Sequence, residues 1–276
     1  MGENITALIL AGGHSKRFGS PKALATLNNK TFIEIIYNAL TSTTGEVYVN
    51  TREEIKENII NILNINKENI VLDEKDLPCR GPLRGIISFF RYTNKNRVLI
   101  VAVDYPFINT DIIKKLLYFS NHYDIVAMTP ILYKGYPLLT LGVIKNQLKI
   151  FEKVCYLKGG NARLSDIYRI SPTLILPWRL LTRQPSALVN VNTRADLLSP
   201  SVEKNNLYNK NKLIYYKHEY YLSYLKYLSN RDFRSAIEYL HREMEIYKNN
   251  NILLFLKHVK KDIEILEKSL RSEDKI

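Results

Sequence analysis

Residues 10–22, Leu10-Ala11-Gly12-Gly13-His14-Ser15-Lys16-Arg17-Phe18-Gly19-Ser20-Pro21-Lys22, gather glycines, hydroxyls and cations directly behind a short apolar run, Thr6 to Leu10. Glycines let backbone N–H groups approach an anion with no Cβ in the way. Ser15 adds a hydroxyl donor. Arg17 and Lys22 add two cations that can neutralise triphosphate charge. The spacing is neither G-x-G-x-x-G nor G-x-x-x-x-G-K-[ST], so this is neither a Rossmann nor a Walker-type loop. The bland alternative is a surface turn with solvated cations.

A second candidate lies at Val103-Asp104-Tyr105-Pro106-Phe107. Asp104 caps the strongest apolar run of the chain, and Pro106 then redirects the backbone. A carboxylate so placed can hold Mg²⁺ against phosphates, since Mg²⁺ takes oxygen ligands and keeps several waters; a turn aspartate is the alternative. The stretch 73–85, DEKDLPCRGPLRG, offers Asp73 with Asp76 competing for the same role, then Gly81, Pro82 and Leu83. Asn50 closes another apolar run. Further on, Asn190-Val191-Asn192-Thr193 precedes Ala195-Asp196-Leu197, where a simple helix N-cap is the competing explanation. The five histidines, at 14, 122, 218, 241 and 258, show no metal-ligand spacing, and no serine or histidine triad stands out.

These residues need elements to hold them. Apolar runs at 6–10, 47–50, 69–72, 98–103 and 125–128 read as strands. Helical periodicity lies between them at 31–40, 55–63, 83–90 and 112–119. The run 98–103 is apolar on both faces, as in the middle of a parallel sheet. Strands alternating with helices predict an α/β fold: a Rossmann-like, three-layer αβα domain with a mostly parallel sheet. Ligands of such sheets bind beyond the carboxyl ends of the strands, where strand order reverses. A strand over 138–144, a helix over 147–157, a late strand over 188–191 and a helix start at Asn192-Thr193 complete the expectation. Composition shifts near Pro200 to a Tyr-, Lys- and Asn-rich section with three helical patterns. The chain is therefore divided into a domain over 1–200 and a small helical extension over 201–276. Within the extension, tyrosines at 220, 221, 224 and 227 recur at helical spacing, as for core packing.

The totals are those of a globular protein: 276 residues, 46% hydrophobic, 24% charged. The formal net charge of +13 suits an anionic ligand without saying which. No basic run resembles a nucleic-acid arm. No apolar stretch reaches a membrane span, and none of signal-peptide type opens the chain. Cys79 and Cys155 lie far apart with no Cys-x-x-Cys pair, so two incidental thiols in a reduced, cytoplasmic compartment are expected.

The loop LAGGxSxRxGxxK, followed by Ala23-Leu24, resembles the signature of the molybdenum cofactor guanylyltransferase family, the MobA-like nucleotidyltransferases. The resemblance covers about residues 5–198 and carries four motifs in order. It implies that Leu10, Ala11, Gly12, Gly13 and Ser15 wrap a GTP triphosphate, with Lys22 and Arg17 on the phosphates. Asp104 matches the aspartate of an Asp-x-Pro-Phe motif that binds Mg²⁺ and nucleotide. Gly81-Pro82-Leu83-x-Gly85 matches a loop beside base and ribose, and Asn50 and Asp73 match residues of the same pocket. Asn190 and Asn192 match asparagines facing the acceptor or metal. The implied reaction moves GMP from GTP onto a molybdopterin-type acceptor. A molybdoenzyme or chaperone is the implied partner of the helical extension. Gly12-Gly13 is the pairing of guanylyl relatives, while Pro21-Lys22 is more typical of cytidylyl ones. CTP, another phosphorylated acceptor, or a non-catalytic delivery role remain as alternatives.

Overall fold

A computed structural model of the chain describes residues 5–13, 15, 17–170, 172–198, 202, 207–208, 213–216 and 219–273. His14, Lys16 and His218 lie outside them.

The opening apolar run is β1 (Thr6–Leu10), buried along its whole length. A small hairpin follows, β2 (Thr26–Leu27) and β3 (Lys30–Thr31). Its turn residues Asn28 and Asn29 both take positive φ, as a two-residue hairpin of primed type requires. Then α1 (Phe32–Thr41) begins with a capping box: Thr31 accepts from the Glu34 amide, and Glu34 accepts from the Thr31 amide. Next come β4 (Val47–Thr51), α2 (Glu53–Leu63), β5 (Ile70–Leu72) and α3 (Pro82–Tyr92). Pro82 sits at the first turn of α3, where its missing N–H is harmless, and Gly81 supplies the positive φ before it. The strongest run is β6 (Arg97–Ala102), followed by α4 (Thr110–His122), capped by Asn109.

The remaining elements are β7 (Ala127–Tyr133), β8 (Tyr136–Pro137), β9 (Leu141–Lys145), α5 (Leu148–Lys158), α6 (Leu164–Ile170), β10 (Thr173–Pro177) and α7 (Ala195–Leu198). Beyond residue 200 come β11 (Ile214–Tyr216), α8 (Glu219–Ser229), α9 (Phe233–Asn250) and α10 (Leu253–Glu273).

Among the described residues, nine strands form one sheet in the order β11-β10-β7-β9-β6-β1-β4-β5, with β8 beside β7. β5, β4, β1 and β6 are parallel; β9 is antiparallel to both β6 and β7. The chain leaves β1 toward β4 and β5, then returns through α3 to pair β6 on the other side of β1. Right-handed crossovers put α1 and α2 on one face and α3 on the other. α1 packs with α2 and α4, and α3 with α5. The α/β, three-layer reading holds, and strand order reverses between β1 and β6.

Four expectations need correction or addition. Leu188–Val191 is not a strand. Pro185–Leu188 forms a 3₁₀ turn, and the Val191 amide makes its bond to the Asp104 carbonyl (2.7 Å), outside any ladder. Helix α7 after Asn192-Thr193 is only four residues long. β10 and α6 gave no amphipathic signal because every described position in them is buried. Cys79 and Cys155 are not two separate thiols: they form a disulfide, because α3 and α5 pack side by side and bring distant segments together.

The extension is continuous with the rest. β11 adds an antiparallel edge to β10. α10 docks on the β7–β8 turn, where the Leu254 amide donates to the Gly135 carbonyl (2.9 Å). Tyr221 and Tyr224 are buried, so that part of the tyrosine stripe is core. Among the described residues no helix is long and apolar enough to cross a membrane.

Candidate functional site

The loops after β1, β4, β5 and β6 converge on one cavity of about 670 Å³ at the carboxyl ends of the parallel strands. Of the residues singled out from sequence, Leu10, Gly12, Gly13, Ser15, Arg17, Lys22, Asn50, Asp73, Gly81, Pro82, Asp104 and Asn192 line it. Ala11 lies just behind the wall, its amide donating to the Asn50 carbonyl (2.8 Å). Leu83 points into the core and is fully buried. Asn190 stands behind Asp104 and donates a hydrogen bond that favours its charged form.

The glycine loop is held by Ser15, whose φ is +51°. Its hydroxyl donates to the Gly13 carbonyl (3.4 Å) and accepts from the Lys22 amide (3.1 Å). That clasp fixes the two cations on the same wall. Lys22 Nζ and Arg17 Nη2 both donate to Asn192 Oδ1, at 3.2 and 3.4 Å. Asn192 is itself fixed, because its amide and that of Thr193 donate to Asp196 Oδ2 (2.7 and 2.8 Å). Those two amides hold the Asp196 carboxyl below the usual range. Two cations thus share one neutral acceptor, an arrangement ready to exchange an amide oxygen for phosphate oxygens.

Burial pulls the Lys22 ammonium below its ordinary pKa; Asp104 opposes that shift and Arg17 adds to it. Burial likewise pushes Asp104 up, with Lys22 opposing. Asp104 Oδ1 is buried with no hydrogen-bond partner. A buried, unpartnered carboxylate oxygen on the cavity wall fits a cation ligand. Among the described residues no group of three His, Cys, Asp or Glu is placed to hold a metal ion. An ion here would therefore complete its shell with phosphate oxygens and water, the habit of Mg²⁺.

The opposite wall is built on Asn50. Its Nδ2 donates to the Val71 carbonyl (3.2 Å) and to Asp73 Oδ1 (3.0 Å), which orients Asp73 toward the cavity. Asp76 is engaged elsewhere, by both Arg91 (2.9 Å to each oxygen) and the Tyr156 hydroxyl (3.0 Å). Asp73 therefore takes the position for which the two competed. Gly85 of α3 faces Asn50 so closely that a Cβ there would lie 2.3 Å from Asn50 Oδ1. Gly85→Ala should displace Asn50 and with it Asp73. The expected result is nucleotide binding weaker by about tenfold, near 1.4 kcal/mol, with the modest loss of thermal stability that overpacking a buried site brings. The same loss in Asn50→Ala, and no further loss in the double variant, would show that the effect passes through Asn50.

Sequence reading missed Arg80, Arg84 and Thr140 on the cavity wall. Arg84 holds the loop before α3, donating to the Leu77 and Cys79 carbonyls (both 2.8 Å). The signal for Arg80 and Arg84 was present, since both flank Gly81-Pro82-Leu83. Thr140 comes from the segment before β9 and had none.

Comparison with known proteins follows the same outline. A family model described as MobA-like NTP transferase domain matches residues 7–169. A probable molybdenum cofactor guanylyltransferase of Bacillus anthracis (strain CDC 684 / NRRL 3495) is 37% identical over 201 residues, covering 72% of this chain and 96% of that protein. A similarly named protein of Bacillus cereus (strain AH187) is 30% identical over the same length and shares. Among solved structures, molybdopterin-guanine dinucleotide biosynthesis protein A from Archaeoglobus fulgidus shares the fold. Its TM-score is 0.59 at 18% identity, over 71% of this chain and 96% of that one.

Proposed function

The chain belongs to the MobA-like NTP transferase family, and from that premise we propose that it is a molybdenum cofactor guanylyltransferase, moving GMP from GTP onto a molybdopterin-type acceptor with release of pyrophosphate. One observation carries the reading: Lys22, Arg17 and the glycine loop face the same cavity as Asp104, whose buried Oδ1 has no partner. The names of the relatives support GTP and the acceptor.

A phosphate monoester on the acceptor is already largely ionised near pH 7, its second pKa being about 6. Its terminal oxygen can attack the α-phosphorus in line without a side-chain base. The protein's work is then positioning and charge neutralisation. Gly12 and Gly13 offer backbone amides to the phosphates. Lys22 and Arg17 leave Asn192 and take up charge on the leaving pyrophosphate. Asn50, Asp73, Gly81 and Pro82 form the wall for base and ribose, while Asn190 and Asn192 border the acceptor side. Asp104 would hold Mg²⁺, which neutralises phosphate charge when bound. The helical extension is the part available to a molybdoenzyme or chaperone.

The decisive assay is pyrophosphate release from GTP, and separately from CTP, with Mg²⁺ and the phosphorylated acceptor. Turnover restricted to GTP supports the proposal. Preference for CTP would instead favour a cytidylyltransferase, the reading to which Pro21-Lys22 points. Binding of neither triphosphate would overturn nucleotide transfer altogether.

A pH dependence follows from Lys22. Its pKa in the free protein is depressed, so the cation is present at low pH and lost earlier than an ordinary lysine (pKa about 10.4) as pH rises. The profile of kcat/KM, which reports the free enzyme, should show an alkaline limb below that value. Lys22→Arg keeps the charge at all accessible pH and should remove the limb. An identical limb in the variant would assign it to another group.

A further inference from the structure

A second cavity, of about 580 Å³, lies between the β7–β8 turn and one face of α10. β7 runs in the same direction as β6, since both are antiparallel to β9. The β7–β8 turn therefore opens at the end of the sheet that carries Asp104. Tyr136 lines the second cavity and Thr140 the first. Three residues of chain lie between them, so their Cα atoms are at most ~14 Å apart. The two cavities are neighbours, built from different walls.

The second cavity has the make-up of an anion site. Arg163, Lys257, Lys260 and Lys261 line it against a single carboxylate, Glu264. Arg163 is fixed by its Nη1, which donates to Asp262 Oδ1 (3.3 Å) and to the His258 carbonyl (3.5 Å). Its Nη2 is buried and has no hydrogen-bond partner. Burial pushes His258 down to about 4, so it stands neutral at pH 7 and adds no charge. The three lysines are exposed on adjoining turns of one helix, and among the described residues none of them has an acidic partner. The remaining lining is apolar: the Tyr136 ring, Leu253 and Leu256. These three side chains give the cavity an apolar wall beside its basic one.

We propose that this cavity binds a phosphomonoester carried on a flat apolar body, its phosphate on Arg163 and the α10 lysines and its body on Tyr136, Leu253 and Leu256. A guanidinium held in place with one spare N–H edge suits a tetrahedral oxyanion better than mobile lysines alone. Most of its wall lies outside the stretch matched by the family model, because α10 supplies it; Tyr136 and Arg163 lie within that stretch. It does not depend on which nucleotide the first cavity takes.

The test is titration of the full chain with phenyl phosphate, with saturating GTP present, followed by calorimetry or by NMR of the probe. Saturable binding should be seen, about tenfold tighter than for inorganic phosphate because the ring adds apolar contact. The double variant Lys260→Gln/Lys261→Gln should weaken it by about tenfold or more, while its melting temperature and GTP binding stay those of the wild type. No saturation up to about 10 mM, displacement by GTP, or equal binding in the double variant would each overturn the proposal. So would tighter, equally lysine-dependent binding of hexaglutamate, which would assign the surface to an acidic polypeptide.

Discussion

Asp104→Asn should abolish nucleotidyl transfer while making the free protein more stable. The amide keeps the size of the carboxylate and removes its charge. If Asp104 holds the Mg²⁺ that neutralises the phosphates, kcat/KM should fall by about 10³-fold or more, near 4 kcal/mol of transition-state stabilisation. The stability prediction has the opposite sign. Burial raises the folded-state pKa of Asp104, so above its unfolded value the ionised group opposes folding. Removing the charge relieves that penalty at neutral pH, and the difference vanishes at low pH, where the wild type is protonated in both states. Thermal melts at pH 7 should therefore show the variant at or above the wild type. Added Mg²⁺ with GTP should raise only the wild type. A variant with wild-type turnover would remove Asp104 from the metal site. A variant that melts lower at pH 7 would show that the buried oxygen has a structural partner.

Much of this site was legible because its residues cluster in sequence. The glycine loop, Asp73 and Gly81-Pro82, and Asp104 each follow a strand whose buried run is visible as continuous apolar residues. Parallel strands place all those loop starts at one end of the sheet. Asn192 was reachable only through the family motif; from spacing alone it reads as a helix cap, and the helix it precedes has four residues. Leu83 belonged to the motif for another reason: it anchors α3 in the core while Gly81 and Pro82 face the cavity. Thr140 stayed hidden because β9 enters against the direction of its neighbours, so the residue before the strand, not after it, meets the ligand end. The disulfide escaped for a related reason. Which distant segments become adjacent depends on how α3 and α5 pack, and periodicity carries no information on that.

The features most invisible in sequence are the charges buried between the first 200 residues and the helical extension, and they set the largest stability effect. Arg169, Asp166 and Glu243 are fully buried, and Asp262 nearly so. Arg169 donates twice to Glu243 of α9 (2.9 and 2.7 Å) and once to Asp262 of α10 (2.7 Å). Lys158 donates to Asp166 and Asp262 (2.9 Å each). Burial opposes the charge of Asp262, but Lys158 and Arg169 outweigh it and hold the carboxyl low, at about 2. Its contribution is thus present at neutral pH and lost as pH falls through that range. Asp262→Ala leaves two buried cations short of a partner and should destabilise the protein by about 3–5 kcal/mol. For a chain of this size that is a fall of roughly 10 °C in melting temperature. None of these residues lines the cavity that holds Lys22 and Asp104, so kcat/KM measured well below the melting point should stay within about twofold. A chain ending at Pro200 loses Glu243, Asp262 and the cover over α5 and α6 together. It should fail to accumulate as soluble folded protein, even though every motif for nucleotide transfer lies before that point. Were the truncated chain soluble and active, or the melting temperature of Asp262→Ala unchanged, the extension would be an appendage rather than part of the core.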